Sequence, residues 1–429
     1  MARTLACDSP DLSIHLDLAE SFRPGQRIAG YVSRISPWVD TETRIRISLH
    51  GRCSTKFFCS DYASCSSSLD LFSQDGNQIF KGALHIQRSY PDERKWRFEI
   101  DIPRHPDPII LRSHPFGKAS YLPLSYANIH ALPPSFDFKN TTTGKCPTFA
   151  VVEYYLEATM TNSDTSKIVT ARFPVQIRCE SSPFPITDFD FNLISRKSYT
   201  VTSTRLTPGM ENAKISTKQQ IAKILGVSGA PRLTFCLETR IASVLQKDSP
   251  YSIALEIRAI PQWSDTSKAI VNFPQITRIK NFVLVIRSIT STIAFDTGAI
   301  GAAEVVRENH FKRSTVLAEY PKPKNKKQMD NDQFQSEVRS KESPLNNYLS
   351  TDGTPLALTI DDNSSPLNIG EVLGLKLKHD QFRFSEVPTF ITYNIKREYQ
   401  LEWRMGLEVG GETLRVEGRH PVLIMEEAD

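Results

Sequence analysis

The sequence predicts an all-β protein built from two tandem β-sandwich domains. Three observations carry that expectation. Apolar residues recur with a period of two in many short stretches, the pattern of strands with one buried face. Prolines stand between those stretches: Pro103, Pro106, Pro108, Pro123, Pro133 and Pro134 punctuate a region that is left little room for helix. The 429 residues exceed one sandwich and suit two domains of roughly 150–200 residues each.

The first strand is read at Leu12, Ile14, Leu16 and Leu18, which alternate with Ser13, His15 and Asp17. Pro24-Gly25 then sets a turn, because proline presets φ and glycine accepts positive φ. Ile28 and Val32 resume the pattern, with Gly30 marking a close backbone approach. Next, Ile45, Ile47 and Leu49 face one way, while Arg44, Arg46, Ser48 and His50 face the other. Trp96, Phe98, Ile100 and Ile102 form a further strand, as do Val152, Tyr154, Leu156 and Ala158. These elements make a first domain over residues 1–178.

A linker follows at 179–200, where Ser181, Ser182, Pro183 and Pro185 cluster. The second domain, 201–429, repeats the grammar at Leu233–Leu237, Ile253–Ala259, Leu373–Leu377 and Ile391–Trp403. Thr217 to Gly226 reads as a short helix, with Ile221, Ile224 and Leu225 on one side and Gly226 as its stop. Gly410-Gly411 reads as a hairpin turn. From about 296 to 350 the alternation fades and the composition turns polar. That predicts a disordered, mobile insertion, since such a segment buries too little apolar surface to offset its ordering entropy.

The bulk numbers narrow the function classes. A net charge of +4, from 52 basic and 48 acidic residues, is too weak to argue for nucleic acid. Met1 to Pro10 shows no signal peptide, and no run of about 18 apolar residues marks a membrane helix. The expectation is a cytoplasmic chain. Seven scattered cysteines fit thiols in a reducing compartment. The sequons at Asn140 and Asn363 then carry no glycosylation meaning.

Few constellations suggest chemistry. Cys53, Cys59 and Cys65, with His50 upstream, offer four soft ligands, but their spacing differs from the usual zinc knuckle. A strand end followed by a serine-rich loop is the plainer reading. No nucleophile elbow, zinc-protease motif or phosphate-cradling glycine loop occurs. Asp361-Asp362 and Glu426-Glu427 are adjacent pairs, and neighbours on a strand point to opposite faces. No catalytic, metal or cofactor-binding residue is therefore assigned. The basic residues Lys312, Arg313, Lys322, Lys324, Lys326 and Lys327 are the better candidate, as a contact for anionic lipid or an acidic partner. Nearby Ser314, Thr315, Ser336, Ser340 and Ser343 offer phosphorylation sites that would cancel the positive field.

Seven segments, in order, resemble the arrestin-like proteins, and most closely the alpha-arrestin branch typical of fungi. They are FRPGQRIAGYV at Phe22–Val32 with IRISLHGR at Ile45–Arg52, FEIDIP at Phe98–Pro103, ALPPSF at Ala131–Phe136, VVEYYLEA at Val151–Ala158, PTFITYNIKREYQLEW at Pro388–Trp403 and HPVLIM at His420–Met425. The resemblance implies two immunoglobulin-like, arrestin-type sandwiches and a non-enzymatic cytosolic adaptor without a cofactor. Such an adaptor links membrane receptors or transporters to endocytic or ubiquitination machinery, and is recruited peripherally to the plasma membrane or endosomes. Members of this branch bring in a HECT-type ubiquitin ligase through PPxY motifs read by WW domains. This chain has none; Pro133-Pro134-Ser135-Phe136 places Phe where the ligand tyrosine would stand. A retromer-type endosomal sorting subunit is the alternative within the same fold. A β-sandwich hydrolase using carboxylates from distant strands is the alternative from another class.

Overall fold

The computed structural model describes residues 11–17, 21–58, 64–73, 76–87, 93–112, 120–140, 147–162, 168–190, 194–213, 229–296, 306–320, 356–378 and 387–428. Strands account for 60% of the chain and helix for 8%, so ladders between strands satisfy most of the backbone. The fold is all-β. The chain forms two compact units, neither of them continuous in sequence. The first takes Met1–Ser181, Ile289–Lys312 and Arg383–Glu398; the second takes Ser182–Ser288, Arg313–Phe382 and Tyr399–Asp429.

The first unit contains β1 (Ser13–Leu16), β2 (Arg27–Arg34), β3 (Trp38–Phe58), β4 (Ser64–Ser73), β5 (Asn77–Ile86), β6 (Arg94–Asp101), α1 (Pro108–Arg112), β7 (Phe136–Asn140), β8 (Thr148–Thr161) and β9 (Ile168–Val175). A small sheet runs β1-β2-β6. In the larger sheet, β3 takes β5 along its first half and β4 along its second, with β8 on its other edge. Beyond it, β8 pairs with β7 and β9. Ile14, Ile28, Val32, Phe98 and Ile100 from the small sheet share one core with Ile45, Ile47, Leu49, Val152, Tyr154 and Leu156 from the large one. The alternation read from sequence is therefore the inside–outside alternation of a sandwich.

Two glycines show why the residue is needed. A Cβ on Gly30 would collide with the carbonyl oxygen of His15 on the neighbouring strand. A Cβ on Gly51 would stand 2.7 Å from the Phe72 ring and 2.8 Å from that of Tyr154, which lie across the ladder on its two sides. The Tyr154 hydroxyl donates to the Pro133 carbonyl at 2.7 Å. Pro133, Pro134, Ser135 and Phe136 are all buried, and Ser135 exchanges hydrogen bonds with Ile177 at 2.8 and 2.9 Å.

The remaining strands are β10 (Ile194–Thr202), β11 (Arg232–Ile241), β12 (Val244–Gln246), β13 (Leu255–Pro261), β14 (Gln275–Asp296), β15 (Val306–Tyr320), β16 (Ala357–Ile360), β17 (Leu367–Asn368), β18 (Phe390–Ile391), β19 (Ile395–Val409) and β20 (Glu412–Met425), with α2 at Ile369–Val372. In the second unit, one sheet runs β10-β11-β13-β17. The other sets β20 against β19 and the first part of β14, with β16 on the far edge of β14. The core joins Val201, Leu233, Phe235 and Leu255 of one sheet to Ile279, Phe282, Leu401 and Trp403 of the other. Gly410 (φ 55°) and Gly411 (φ 77°) close the β19–β20 hairpin as a two-residue turn with both φ positive.

The structure departs from the sequence reading at several points. Residues 194–200 of the expected linker belong to β10, an edge strand whose mostly exposed side chains hide its pattern. Within the segment read as a disordered insertion, Val306–Tyr320 is β15 and pairs with β14. There Leu317 is buried and Val316 exposed, because an existing edge supplies partners that local propensity does not reveal. Residues 321–350 lie outside the described residues, as does the expected helix at Thr217–Gly226. Leu373, Leu375 and Leu377 are buried as expected, but they follow α2 outside any strand. Irregular hydrogen bonds hold them: Ile253 N to Leu375 O (2.7 Å) and Asp248 N to Leu377 O (2.9 Å).

The first unit is completed by late segments. Phe295 pairs with Ser66 on β4. The Thr55 hydroxyl donates to Ile293 O at 2.6 Å, and Ile293 N to Asn394 O at 2.9 Å. Arg397 donates to the Thr290 hydroxyl at 2.6 Å, with its guanidinium 5.9 Å from the Phe136 ring. The Tyr393 carbonyl accepts from Tyr121 N (3.0 Å) and the Ser120 hydroxyl (3.1 Å).

Candidate functional site

Of the six basic residues singled out from sequence, Lys312 and Arg313 lie on β15. Lys322, Lys324, Lys326 and Lys327 lie outside the described residues, as do Ser336, Ser340 and Ser343. Cys53 belongs to the core of the first unit and Cys65 to a separate cluster with Phe57 and Ala294; Cys59 lies outside the described residues. His50 points away from Cys53, onto the opposite face of β3. Among the described residues no group of His, Cys, Asp and Glu is placed to hold a metal ion. Burial pushes the Cys53 thiol well above its ordinary range, against a weaker opposing hydrogen bond with Thr392.

The adjacent acids serve the fold. Asp362 accepts from the Trp263 indole at 2.8 Å, and Glu426 pairs with Lys247 at 3.5 Å. On the outer face of β3 and β8, His50 stacks on Tyr155 with centroids 5.1 Å apart. Arg52 pairs there with Glu153, and Arg172 with Glu157 at 2.7 Å. Each cation faces its own carboxylate, so this array ties neighbouring strands together.

A different arrangement stands at one side of the second unit. Among the described residues, β10 pairs with β11 alone. Over Glu412–Val422, β20 pairs with β19 alone. Lys197 and Tyr199 stand opposite Leu237 and Phe235 across the ladder, on the face that looks into the core. The Lys197 ammonium spans to the other sheet and donates to the Glu417 carbonyl at 2.9 Å. Next to it, Trp403 faces Gly418 across the hairpin. A Cβ on Gly418 would stand 2.7 Å from the indole nitrogen, so glycine lets the ring lie flat against the backbone.

Trp403 is 3% exposed, yet among the described residues its indole N–H meets no hydrogen-bond partner. Nε2 of His420, two residues beyond Gly418 on the same face, is likewise buried without one. Burial lowers the His420 pKa, and the Lys197 charge lowers it further. Burial raises that of Tyr199, assisted by Glu417. An indole and an ammonium can only donate, while an imidazole does either. A buried donor without an acceptor is uncommon in folded chains. The chemistry this corner suits is an oxygen acceptor, above all a carboxylate.

Sequence reasoning passed over this corner. Lys197 and Tyr199 sit in the stretch read as linker, although Lys197, Tyr199 and Val201 already carry the period of two. Trp403 reads as part of a strand, and the fold buries it; its unpaired N–H is visible only in three dimensions.

Searches against protein-family models and against curated proteins find no match to this chain. Among the described residues no helix is long and apolar enough to cross a membrane.

Proposed function

We propose that this chain is a non-enzymatic, arrestin-like adaptor that links membrane cargo to endocytic or ubiquitination machinery. One observation supports the reading most. The segments that carry the resemblance fall, in order, on core elements of two β-sandwich units: the turn into β2, then β3, β6, the Ala131–Phe136 crossover, buried from Leu132 on, β8, β18 with β19, and β20. A two-sandwich adaptor binds through strand edges, faces and loops. Pro133-Pro134-Ser135-Phe136 is packed inside the first unit and is withheld from a WW groove in the folded chain. In this reading a ligase arrives through another surface or through an intermediary. The basic residues Lys322, Lys324, Lys326 and Lys327 favour contact with anionic lipid, at about 1 kcal/mol each.

Affinity purification of the tagged chain from its native cells, with quantitative mass spectrometry, tests the proposal. The expected result is enrichment of membrane transporters or receptors together with trafficking or ubiquitination components. Recovery of neither sinks it. The same experiment with the four lysines changed to glutamate is expected to lower cargo recovery by weakening the membrane contact.

A further inference from the structure

We propose that the edge of β10 left unpaired among the described residues, backed by Lys197, His420 and Trp403, receives an extended acidic peptide as an added strand, with one carboxylate entering between the two sheets of the second unit. The inference rests on the adaptor reading in that it names the site and chemistry of one partner.

Four features of the structure converge on it. First, β10 is a nine-residue strand without proline, at the end of its sheet. Such an edge presents backbone donors and acceptors along one side, which an extended segment can pair. Second, Arg196 and Lys197 lie at the middle of the strand. Arg196 is already matched by Glu238, so Lys197 is the charge that an acidic strand meets. Third, the edge is backed by acceptor-seeking groups. Among the described residues, the Trp403 indole N–H and His420 Nε2 are buried and unpaired, and Lys197 serves only a backbone carbonyl. Fourth, the indole packs directly over Gly418, where even a Cβ would stand 2.7 Å from its nitrogen, which fixes the ring against the hairpin backbone.

Recognition follows from these placements. A peptide paired along β10 alternates its side chains between the outer face and the gap between the sheets. A glutamate or aspartate directed into the gap draws the Lys197 ammonium from the Glu417 carbonyl. It also accepts from Trp403 Nε1 and from a protonated or suitably tautomeric His420. Uptake of the carboxylate raises the affinity of His420 for a proton, so binding tightens as pH falls. The cationic and titratable neighbours on the packed elements are Arg196, Glu238, Tyr199, Glu417, Arg419 and Glu402. Arg196 and Arg240 are matched by Glu238 at 2.8 and 3.4 Å, Arg404 by Glu417 at 3.8 Å and Arg419 by Glu402, which leaves Lys197, among the described residues of these strands, as the cation directed at the gap.

The test uses the full chain labelled with 5-fluorotryptophan. Its four tryptophans give separate fluorine signals, and Trp403→Phe assigns the relevant one. The probe is a seven-residue acetylated peptide alternating threonine and valine around one central glutamate. The control peptide carries glutamine there, and sodium acetate serves as a third ligand. The expected result is saturable movement of the Trp403 signal with the glutamate peptide, and binding about tenfold weaker with glutamine, as for loss of one charge-assisted hydrogen bond. Lys197→Gln, on an exposed position, is expected to weaken the glutamate peptide similarly with an unchanged melting temperature. Equal binding of the two peptides, or a stationary Trp403 signal, overturns the proposal. Acetate binding as tightly as the peptide overturns strand addition and leaves a site for a small anion. These outcomes are independent of the adaptor reading, which fails on the proteins recovered from cells.

Discussion

The Tyr393 hydroxyl and His130 Nδ1 share a hydrogen bond at 3.1 Å, although the residues are 263 positions apart in sequence. Tyr393 is 1% exposed, and its carbonyl is held by Tyr121 and Ser120. One residue from the late part of the chain is thus fastened at both ends within the first unit. Tyr393→Phe removes only the hydroxyl and is expected to cost about 1 kcal/mol. Tyr393→Ala also empties a ring-sized space and is expected to cost about 3–5 kcal/mol. Urea unfolding of the two variants checks the difference, and equal losses would contradict the packing described.

Three histidines predict the acid response. Burial is the first cause of a lowered pKa at His50, His130 and His420. At His50, Glu157 and Asp70 oppose the shift, while Arg172 and Arg52 add to it. A lowered pKa means that the folded chain resists a proton which the unfolded chain accepts near its ordinary value of about 6.5. Stability from this source is full above that value and declines as pH falls through it toward the folded pKa values. Thermal midpoints between pH 8 and pH 5 are expected to drop on the acid side. His50→Gln should flatten that slope; an unchanged slope would show that His50 contributes nothing to it.

Glu402 is 6% exposed and lies between Arg287, at 2.8 Å, and Arg419. The side chain of Arg287 is largely buried and that of Arg419 is mostly in solvent. Glu402→Ala strands a half-desolvated guanidinium and is expected to cost about 3 kcal/mol. Arg419→Ala removes a screened partner and should cost less than about 1 kcal/mol. Chemical denaturation of both variants measures the ordering, and a reversed ordering would refute the burial argument.

Thiol reactivity should divide the cysteines. Cys53 and Cys65 are buried, while Cys179 and Cys236 are partly exposed. Since the thiolate is the reactive form, alkylation by iodoacetamide at neutral pH is expected at Cys179 and Cys236 well before Cys53. Peptide mass spectrometry after timed quenching reads the order. Early labelling of Cys53 would mean that the first unit opens readily.

Period and turn chemistry made much of the fold legible. Ile45, Ile47 and Leu49, or Val152, Tyr154 and Leu156, announce strands because each has one side wholly inside a core. Gly410-Gly411 announces its hairpin because few residues accept positive φ twice in succession. β10 was obscured because an edge strand buries little, and its lysine, arginine and serines read as linker. β15 was obscured because its residues, charged and polar through most of Val306–Tyr320, carry little apolar alternation, although its partner is β14, the strand just before it. The three leucines from Leu373 alternate in burial without a ladder, which period alone cannot distinguish from a strand. The corner around Trp403 was illegible for a further reason: an unpaired donor is a property of the surroundings, and no residue type signals it.

The discontinuity of the first unit bears on how the protein is made. Its early strands leave the ribosome long before Ile289–Lys312 and Arg383–Glu398, the segments that complete it. Domains ordinarily fold in turn from the N-terminus during synthesis. Here the leading half must wait, with the β4 edge and the Ser67 hydroxyl unmatched, until Phe295 and Asn394 have been translated. Nascent chains of this protein therefore carry an incomplete sheet for most of their elongation, and that interval is where chaperones have most to protect.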